Sequence, residues 1–455
     1  MKQYPNYKES GVEWLGKIPE HWEIVALKRV GALKGGSGFP PEMQGRDGNE
    51  IPFYKVGDLA KSVDGVNLGE THHSITREEA SYLGATIFKA GAIAWAKIGA
   101  ALLLNRRRIV PAECCLDNNM TGFTPDASKA STGYYFYLLS SMDFSIYAKP
   151  GAVPSFSEGD QGELRVVCPT PEEQTVITTF LDHETSKIDN LIGAQRKLID
   201  LLDEKKQSLI SHAVTKGLNP DVPMKESGVS WLGQIPRAWN TVKLGFLSEK
   251  IGSGKTPKGG AEIYVDEGVI FLRSQNIQDG RLKLDDVVRI PDQVDSEMSS
   301  TRVQPGDILL NITGASIGRS CLVPEGMPES NVNQHVCIIR LVDPSLRRFV
   351  ALSIRGRSTQ SQIESVQSGA ARDGLNFEQI ANLVVCEPPP EDCAKVVEYV
   401  DSVEERFAAI ARAAERAIDL LTERRSALIS AAVTGKIDVR GLLQAPQEQQ
   451  ALETA

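Results

Sequence analysis

At 455 residues, with 41% hydrophobic and 24% charged residues, the chain has the size and composition of two to four soluble globular domains. Its net charge of -9 excludes a uniformly basic coat, though not a local basic groove. Seven cysteines without a C-x-x-C pair and six histidines without an H-E-x-x-H helix provide neither a disulfide framework nor ligand spacing, so no metal site is expected.

The opening Met1 to Lys8 lacks the apolar core of a secretory signal. No apolar run reaches the about 18 residues of a membrane span, so a cytoplasmic protein without membrane contact is expected. Lys8-Glu-Ser-Gly-Val-Glu-Trp-Leu-Gly-Lys-Ile-Pro19 then introduces a motif that returns as Lys225-Glu-Ser-Gly-Val-Ser-Trp-Leu-Gly-Gln-Ile-Pro236, with Trp22 answered by Trp239. The repeated Trp14 and Trp231 are expected to pack against a helix rather than to stack on bases.

Residues 23–165 carry short β-branched runs punctuated by Gly and Pro, such as Ile51-Pro-Phe-Tyr54 and Gly91-Ala-Ile-Ala-Trp95, with a helical stretch from Ser131 to Met142. This pattern predicts a mixed α/β globule. From Pro171 the pattern changes to steps of four and three through Ile177, Leu181, Glu184, Ile188, Leu191, Gln195, Leu198, Leu202, Lys205 and Leu209, a heptad seam. A helix of about 40 residues is roughly 60 Å long and cannot be buried within one globule. Residues 240–387 repeat the strand-and-turn pattern, with Val269-Ile-Phe-Leu272 and Gly306-Asp-Ile-Leu-Leu310. A second seam runs through Val396, Val400, Val403, Phe407, Ile410, Ala414, Ala417, Leu421, Arg424 and Leu428. Ile199-Asp-Leu-Leu202 is matched by Ile418-Asp-Leu-Leu421, and Leu209-Ile-Ser211 by Leu428-Ile-Ser430.

The two copies agree at their ends and diverge in their centres. Like ends meet like partners or each other, whereas unlike centres bind different things. Leu181, Ile188, Leu202, Leu209, Val400, Phe407, Leu421 and Leu428 are therefore expected to form a partner-binding stripe beyond any intramolecular seam.

No catalytic constellation is found. Gly252-Ser-Gly-Lys-Thr256 looks like the end of a phosphate loop, but the first copy reads Gly35-Gly-Ser-Gly-Phe39, and Pro257 follows where a helix should run. There is no G-x-S-x-G elbow and no Asn-Pro-Pro-aromatic or Asp-Pro-Pro-aromatic motif. The chain reads as a non-enzyme. What remains are basic, amide and hydroxyl side chains in glycine-rich loops. In the first centre these are Lys34, Lys55, Lys97, Arg106, Arg107, Arg108, Asn118 and Asn119. In the second they are Lys255, Thr256, Arg273, Asn276, Thr313, Arg319, Gln334, His335 and Arg372. Arg reads guanine, Asn or Gln reads adenine, and Lys holds phosphates, so these are the candidate DNA-binding residues.

Several motifs together resemble specificity subunits of type I restriction-modification systems. They are the duplicated Gly-Val-x-Trp-Leu-Gly-x-Ile-Pro-x-x-Trp, the Ser253-Gly-Lys-Thr-Pro257 loop, Gly306-Asp-Ile-Leu309, Asn333-Gln-His335 and the Leu-Ile-Ser-x-Ala-Val-Thr segments. The first copy departs from the pattern with Phe39, Ala92 and Met120, and the second helix has Cys393 where the first has Gln174. The resemblance implies an α/β (α+β) architecture. Two target-recognition domains, 1–165 and 218–387, would be joined by long antiparallel coiled-coil helices, 166–217 and 388–440, in a pseudo-two-fold internal repeat, with 441–455 a flexible tail. Each domain would read one half of a bipartite, asymmetric target in double-stranded DNA. The helices would set the spacer and dock two methyltransferase subunits, and two restriction/translocase subunits would join them. S-adenosylmethionine, ATP and magnesium would reside in those partners and no cofactor in this chain. The competing reading is a duplicated coiled-coil scaffold that assembles partners without reading DNA.

Overall fold

A computed structural model of the chain describes residues 2–149, 151–367 and 374–442. It divides into two units: residues up to Ala194 together with those from Ala417 onward, and Gln195–Arg416. Each unit holds one of the divergent centres and a portion of each of two long helices.

In the first unit the central sheet has four antiparallel strands: β1 (Gly31–Gly35), β3 (Ile93–Ala96), β4 (Arg107–Ile109) and β6 (Met120–Pro125), in the order β1-β6-β3-β4. A smaller sheet pairs β2 (Ile51–Tyr54) in parallel with β5 (Cys115–Leu116). The run Ile-Ala-Trp-Ala in β3 is buried throughout because both sheet faces are covered. Ile93 and Trp95 join Phe123 in the core beneath helix α2 (Thr132–Ser140), while Ala94 and Ala96 face Tyr54, Leu116 and Met120. Between β3 and β4 the chain forms one short helical turn, α1 (Ala100–Leu103).

The second unit repeats this plan. Strands β7 (Ser248–Ser253), β9 (Ile308–Asn311), β10 (Ser320–Leu322) and β12 (Val336–Leu341) lie in the order β7-β12-β9-β10. Here β8 (Val269–Leu272) pairs in parallel with β11 (Ser330–Val332). Ile308, Leu310, Cys337 and Ile339 pack under helix α4 (Arg347–Arg355), and Leu309 and Ile338 pack against Leu272 and Val332. Divergent sequences thus give one topology, because the alternation of apolar positions and the turn residues is retained while the side chains are exchanged.

The long helices are α3 (Pro171–Lys216) and α5 (Pro390–Val433), of 46 and 44 residues. Each opens on a proline followed by two acidic residues, favourable at a helix N-terminus, and a left-handed glycine, Gly217 or Gly435, follows the end. In the first unit the two helical segments run antiparallel. Glu173 meets Arg440 beyond the end of α5, and 16 residues further along α3, Asp189 meets Arg425 at 2.9 Å. The buried stripe on α3 runs through Ile177, Leu181, Thr185, Ile188 and Ile192, a period slightly longer than the heptad. The sequence seam through Glu184 and Leu191 therefore drifts off the buried face, and Leu191 is 51% exposed. Four of the expected partner-binding residues, Leu181, Ile188, Val400 and Leu428, are at most 8% exposed, within the interior of their own units. Leu202, Leu209, Phe407 and Leu421 are half-buried. The outward apolar positions on the helices are instead Leu191, Leu198, Leu201, Tyr399, Ile410 and Leu420.

The repeated N-terminal motif closes each unit on a helix end. Trp22 and Trp239 are fully buried, and Leu15, Ile18, Leu232 and Ile235 pack beside them. Gly217 approaches Trp239 so closely that a Cβ would lie 3.3 Å from the ring, and at Gly435 it would lie 2.4 Å from Pro19. Both glycines also have φ near +73°. Trp14 is half-buried and packs against this core as expected, whereas Trp231 is 46% exposed, and the fully buried tryptophan is the second of each motif.

Helices α2 and α4 are seated differently on the long helices. In the first unit the Tyr137 hydroxyl donates to Asp182 at 2.7 Å and lies 3.2 Å from Thr185. In the second, buried Arg355 pairs with Glu404 at 2.8 Å and with Asp279, while Arg348 holds both Asp401 and Glu404. Burial raises the Glu404 pKa, but Arg355 and Arg348 outweigh it and hold the carboxyl below its usual range.

Two predictions follow from these contacts. Gly435→Val and Gly217→Val are each expected to destabilise the unit they close by about 1–3 kcal/mol through overpacking and backbone strain. Urea unfolding with hydrogen exchange resolved by unit checks this, and equal loss in both units from either substitution would contradict it. Because Glu404 titrates below its unfolded value of roughly 4.3, the stability it contributes is present above that pH and is lost as acid carries it through its depressed pKa. Glu404→Gln should flatten the acid limb of the second unit's stability profile; an unaltered slope would rule the pair out as its source.

Candidate nucleic-acid interface

The strand registers bring the scattered sequence candidates to one edge of each sheet. In the first unit Thr121 faces Gly35, Met120 faces Ala96 and Trp95 faces Arg107. The end of β1, the start of β6, the end of β3 and the start of β4 are therefore side by side, roughly 4.8 Å apart. Lys34, Asn118 and Asn119, Lys97, and Arg106 occupy those four positions. The parallel pair β2–β5 delivers Lys55 to the same edge, where the Asp117 N–H donates to the Tyr54 carbonyl. Backbone bonds hold the connections together: Gly36 N–H to Met120 O, and Lys97 N–H to Asn119 O.

The second unit builds the same edge from other residues. Ser253 faces Cys337, Asn311 faces Val336 and Leu310 faces Ser320. This aligns Lys255 and Thr256, Gln334 and His335, Thr313, and Arg319 along the sheet end. The Asn333 N–H bonds the Leu272 carbonyl and brings Arg273 to it as Lys55 is brought in the first unit. Gly254 is required here, since a Cβ would lie 1.8 Å from the Val332 carbonyl oxygen. The residues after Lys255-Thr256 pass through buried Pro257 to a short 3-10 turn at Gly260–Ile263, and no α-helix begins at the loop to bind a phosphate as a P-loop does.

The candidates differ in how free they are. Lys34, Asn118, Lys255, Thr256, Arg319 and Gln334 are exposed. Arg106 is half-exposed, with no hydrogen bond or ion pair to the described residues. Lys97 is committed to Glu158 at 2.8 Å, and this hydrogen bond holds the Glu158 carboxyl below its usual pKa. Lys55 donates to Gln44 at 2.8 Å, and Arg273 donates to the Asp286 carbonyl. Thr313 and His335 are joined at 2.5 Å through the ring Nδ1, and the Gln334 amide nitrogen lies 2.9 Å from its Nε2.

Three sequence candidates have other work. Asn276 is 1% exposed; its side chain accepts from the Arg273 N–H and donates to the Lys283 and Asp286 carbonyls, fixing the turn that carries Arg273. Arg107 is 2% exposed, stacked 3.7 Å over the Phe144 ring and donating to the Met142 carbonyl and Asn105. Burial draws its pKa down, with Asp143 opposing. Arg108 is half-buried, its pKa also lowered by burial, with Asp64 the nearby acid. The run Arg106–Arg108 thus forms no single cationic patch, because successive strand residues point to opposite faces. Arg372 lies outside the described residues. Sequence reasoning missed Glu158 and the Asn105–Asp143 support, which belong to distant segments without a local motif. His73 is half-buried and accepts from the Gly45 N–H at 2.8 Å.

Among the described residues no group of three or more His, Cys, Asp and Glu is placed to hold a metal, and no helix is long and apolar enough to cross a membrane.

An antiparallel sheet whose end presents amides and cations is thus built twice, each time beside a portion of the long helices. Residues 19–199 match the family model of the type I restriction modification DNA specificity domain. The chain is 24% identical over 451 residues to a protein described as the type I restriction enzyme MjaX specificity subunit of Methanocaldococcus jannaschii, covering 96% of this chain and 97% of that one. It is 26% identical over 256 residues to the EcoBI specificity subunit of Escherichia coli, about 52% of each chain. Its fold is similar to that of a chain solved in work on the assembly and conformational transition of a type I R-M system (TM-score 0.66, 15% identity, 92% of this chain and 99% of that one). The HsdS subunit from Thermoanaerobacter tengcongensis is also similar (TM-score 0.51, 16% identity, 94% and 100%). The family model and these relatives are similar to the chain in the same direction as its duplicated motifs.

Neutralising Lys34 or Arg106 is expected to lower the slope of log K against log salt for DNA binding by about one each, while Arg107→Met leaves the slope unchanged and lowers stability. Salt titrations of DNA affinity check this, and an unaltered slope after Lys34→Ala and Arg106→Ala would remove the sheet edge as the phosphate contact.

Proposed function

We propose that the chain is the DNA sequence-specificity subunit of a type I restriction-modification complex. The observation that carries this reading is the same sheet edge built twice with different side chains, as two unlike half-sites require. Each edge reads one half of a bipartite, asymmetric target in double-stranded DNA through amide and arginine contacts, with lysines on phosphates. The long helices, of 46 and 44 residues, set the spacer between the half-sites in this reading. A scaffold without DNA recognition would have no use for two differently furnished edges.

The chain itself is non-catalytic in this reading and acts in the cytoplasm. Two methyltransferase subunits dock on the repeated helical regions and two restriction/translocase subunits join them, bringing S-adenosylmethionine, ATP and magnesium. The outward Leu191, Leu198, Leu201, Tyr399, Ile410 and Leu420 are the helix positions available to those partners.

Exchanging residues 23–165 for the corresponding segment of another family member is expected to change one half of the methylated motif and leave the other half and the spacer intact. Single-molecule methylome sequencing of the host reads the outcome, and a change in both halves would contradict the assignment.

A further inference from the structure

The connection between β3 and β4 in the first unit combines three features that the reading above does not use. Asn105 is the one non-glycine residue among those described with a left-handed backbone, at φ +53°. Leu103 and Leu104, immediately before it, are 48% and 57% exposed. Buried Arg107 lies immediately beyond. These features form one support. The Asn105 side-chain oxygen accepts from Arg107 at 3.0 Å and from the Phe144 N–H at 2.8 Å, and its amide donates to Asp143 at 2.6 Å. Stacking on Phe144 completes the anchor of Arg107. A strained backbone and a buried guanidinium thus hold two leucines out in solvent, a costly arrangement for an ordinary loop.

The leucines are exposed on the connection between Lys97 and Arg106, which leaves and re-enters the sheet at the edge that carries Lys34 and Asn119. That position commits them to the surface those cations and amides serve. Among the base edges in the major groove, the apolar group is the thymine C5-methyl. We infer that Leu103 and Leu104 form an apolar reading tip that contacts thymine methyl groups in the half-site read by the first domain. This rests on the proposed DNA-reading function and specifies its chemistry. The second unit has Gly314-Ala315-Ser316 at the corresponding connection, so its half-site is read without such a tip.

The test uses the chain assembled with its methyltransferase partner and a duplex carrying its methylated motif, with each thymine replaced singly by deoxyuracil. Loss of one buried methyl is worth about fourfold in Kd. The wild type is expected to weaken by about that factor at one or two thymines of the first half-site and nowhere in the second. The variant L103S/L104S, altered at exposed positions, should bind the thymine duplex more weakly and respond to no deoxyuracil substitution. A wild type indifferent to deoxyuracil throughout the first half-site overturns the inference, as does a variant that keeps the wild-type response. A wild type indifferent to deoxyuracil together with a variant that fails to assemble with the methyltransferase would overturn the inference and reassign the tip to a protein partner. A wild type that does not distinguish its motif from a scrambled duplex overturns the DNA-reading function itself.

Discussion

The register of the four-stranded sheet is the constraint on which the molecule's organisation depends. Met120 opposite Ala96 and Thr121 opposite Gly35 place four chain segments, distant in sequence, at one edge. A slip of one residue would turn Ile93, Trp95 and Phe123 out of the core beneath the Tyr-rich helix and displace every edge residue with them. The apolar core therefore fixes the position of the polar edge. Because the second sheet has the same register with other core residues, the edge can be refurnished without disturbing its geometry.

Charge is distributed accordingly. A net charge of -9 coexists with a cationic edge because the positive groups there are few, and several acids are occupied by structural pairing. Glu158 neutralises Lys97, and Glu404 and Asp279 are held by Arg355. Lys34, Arg106, Lys255 and Arg319 form no ion pair with the described residues. Helices α2 and α4 sit on the long helices through different chemistry, a phenol with an aspartate and a threonine in one unit and an arginine network in the other. Each domain is thereby matched to its own seat, although the topology of the two is the same.

Much of this was legible in the sequence, and the misreadings have physical causes. The duplicated ends, the two long helices and the strand-rich centres follow from periodicity and turn residues. The edge residues Lys34, Asn118, Arg106, Lys255, Arg319 and Gln334 were recognisable as polar side chains in glycine-rich loops. Their convergence was not, since it is a property of strand pairing across about 90 residues of chain. Arg107 and Asn276 read as polar surface residues but are interior, one stacked on Phe144 and the other closing a turn; both are placed by tertiary contacts that no local pattern announces. The heptad seam drifted because α3 packs on a globular core at a straight helix's period, which carries Leu191 outward and Thr185 inward. The buried tryptophan of each repeated motif is Trp22 or Trp239 because these lie against the glycine that ends a helix, a neighbour supplied by a distant part of the chain.

The central claim, that each sheet edge faces a different half of one DNA target, is tested most directly by site-specific photocrosslinking. A photoreactive amino acid is placed at Asn118 or at Gln334 in the assembled complex, and the crosslinked nucleotides are mapped. The account predicts crosslinks from position 118 confined to one half-site and from position 334 confined to the other, about one helical turn away. Crosslinks from both positions to the same half-site, or from neither to the motif, would contradict it.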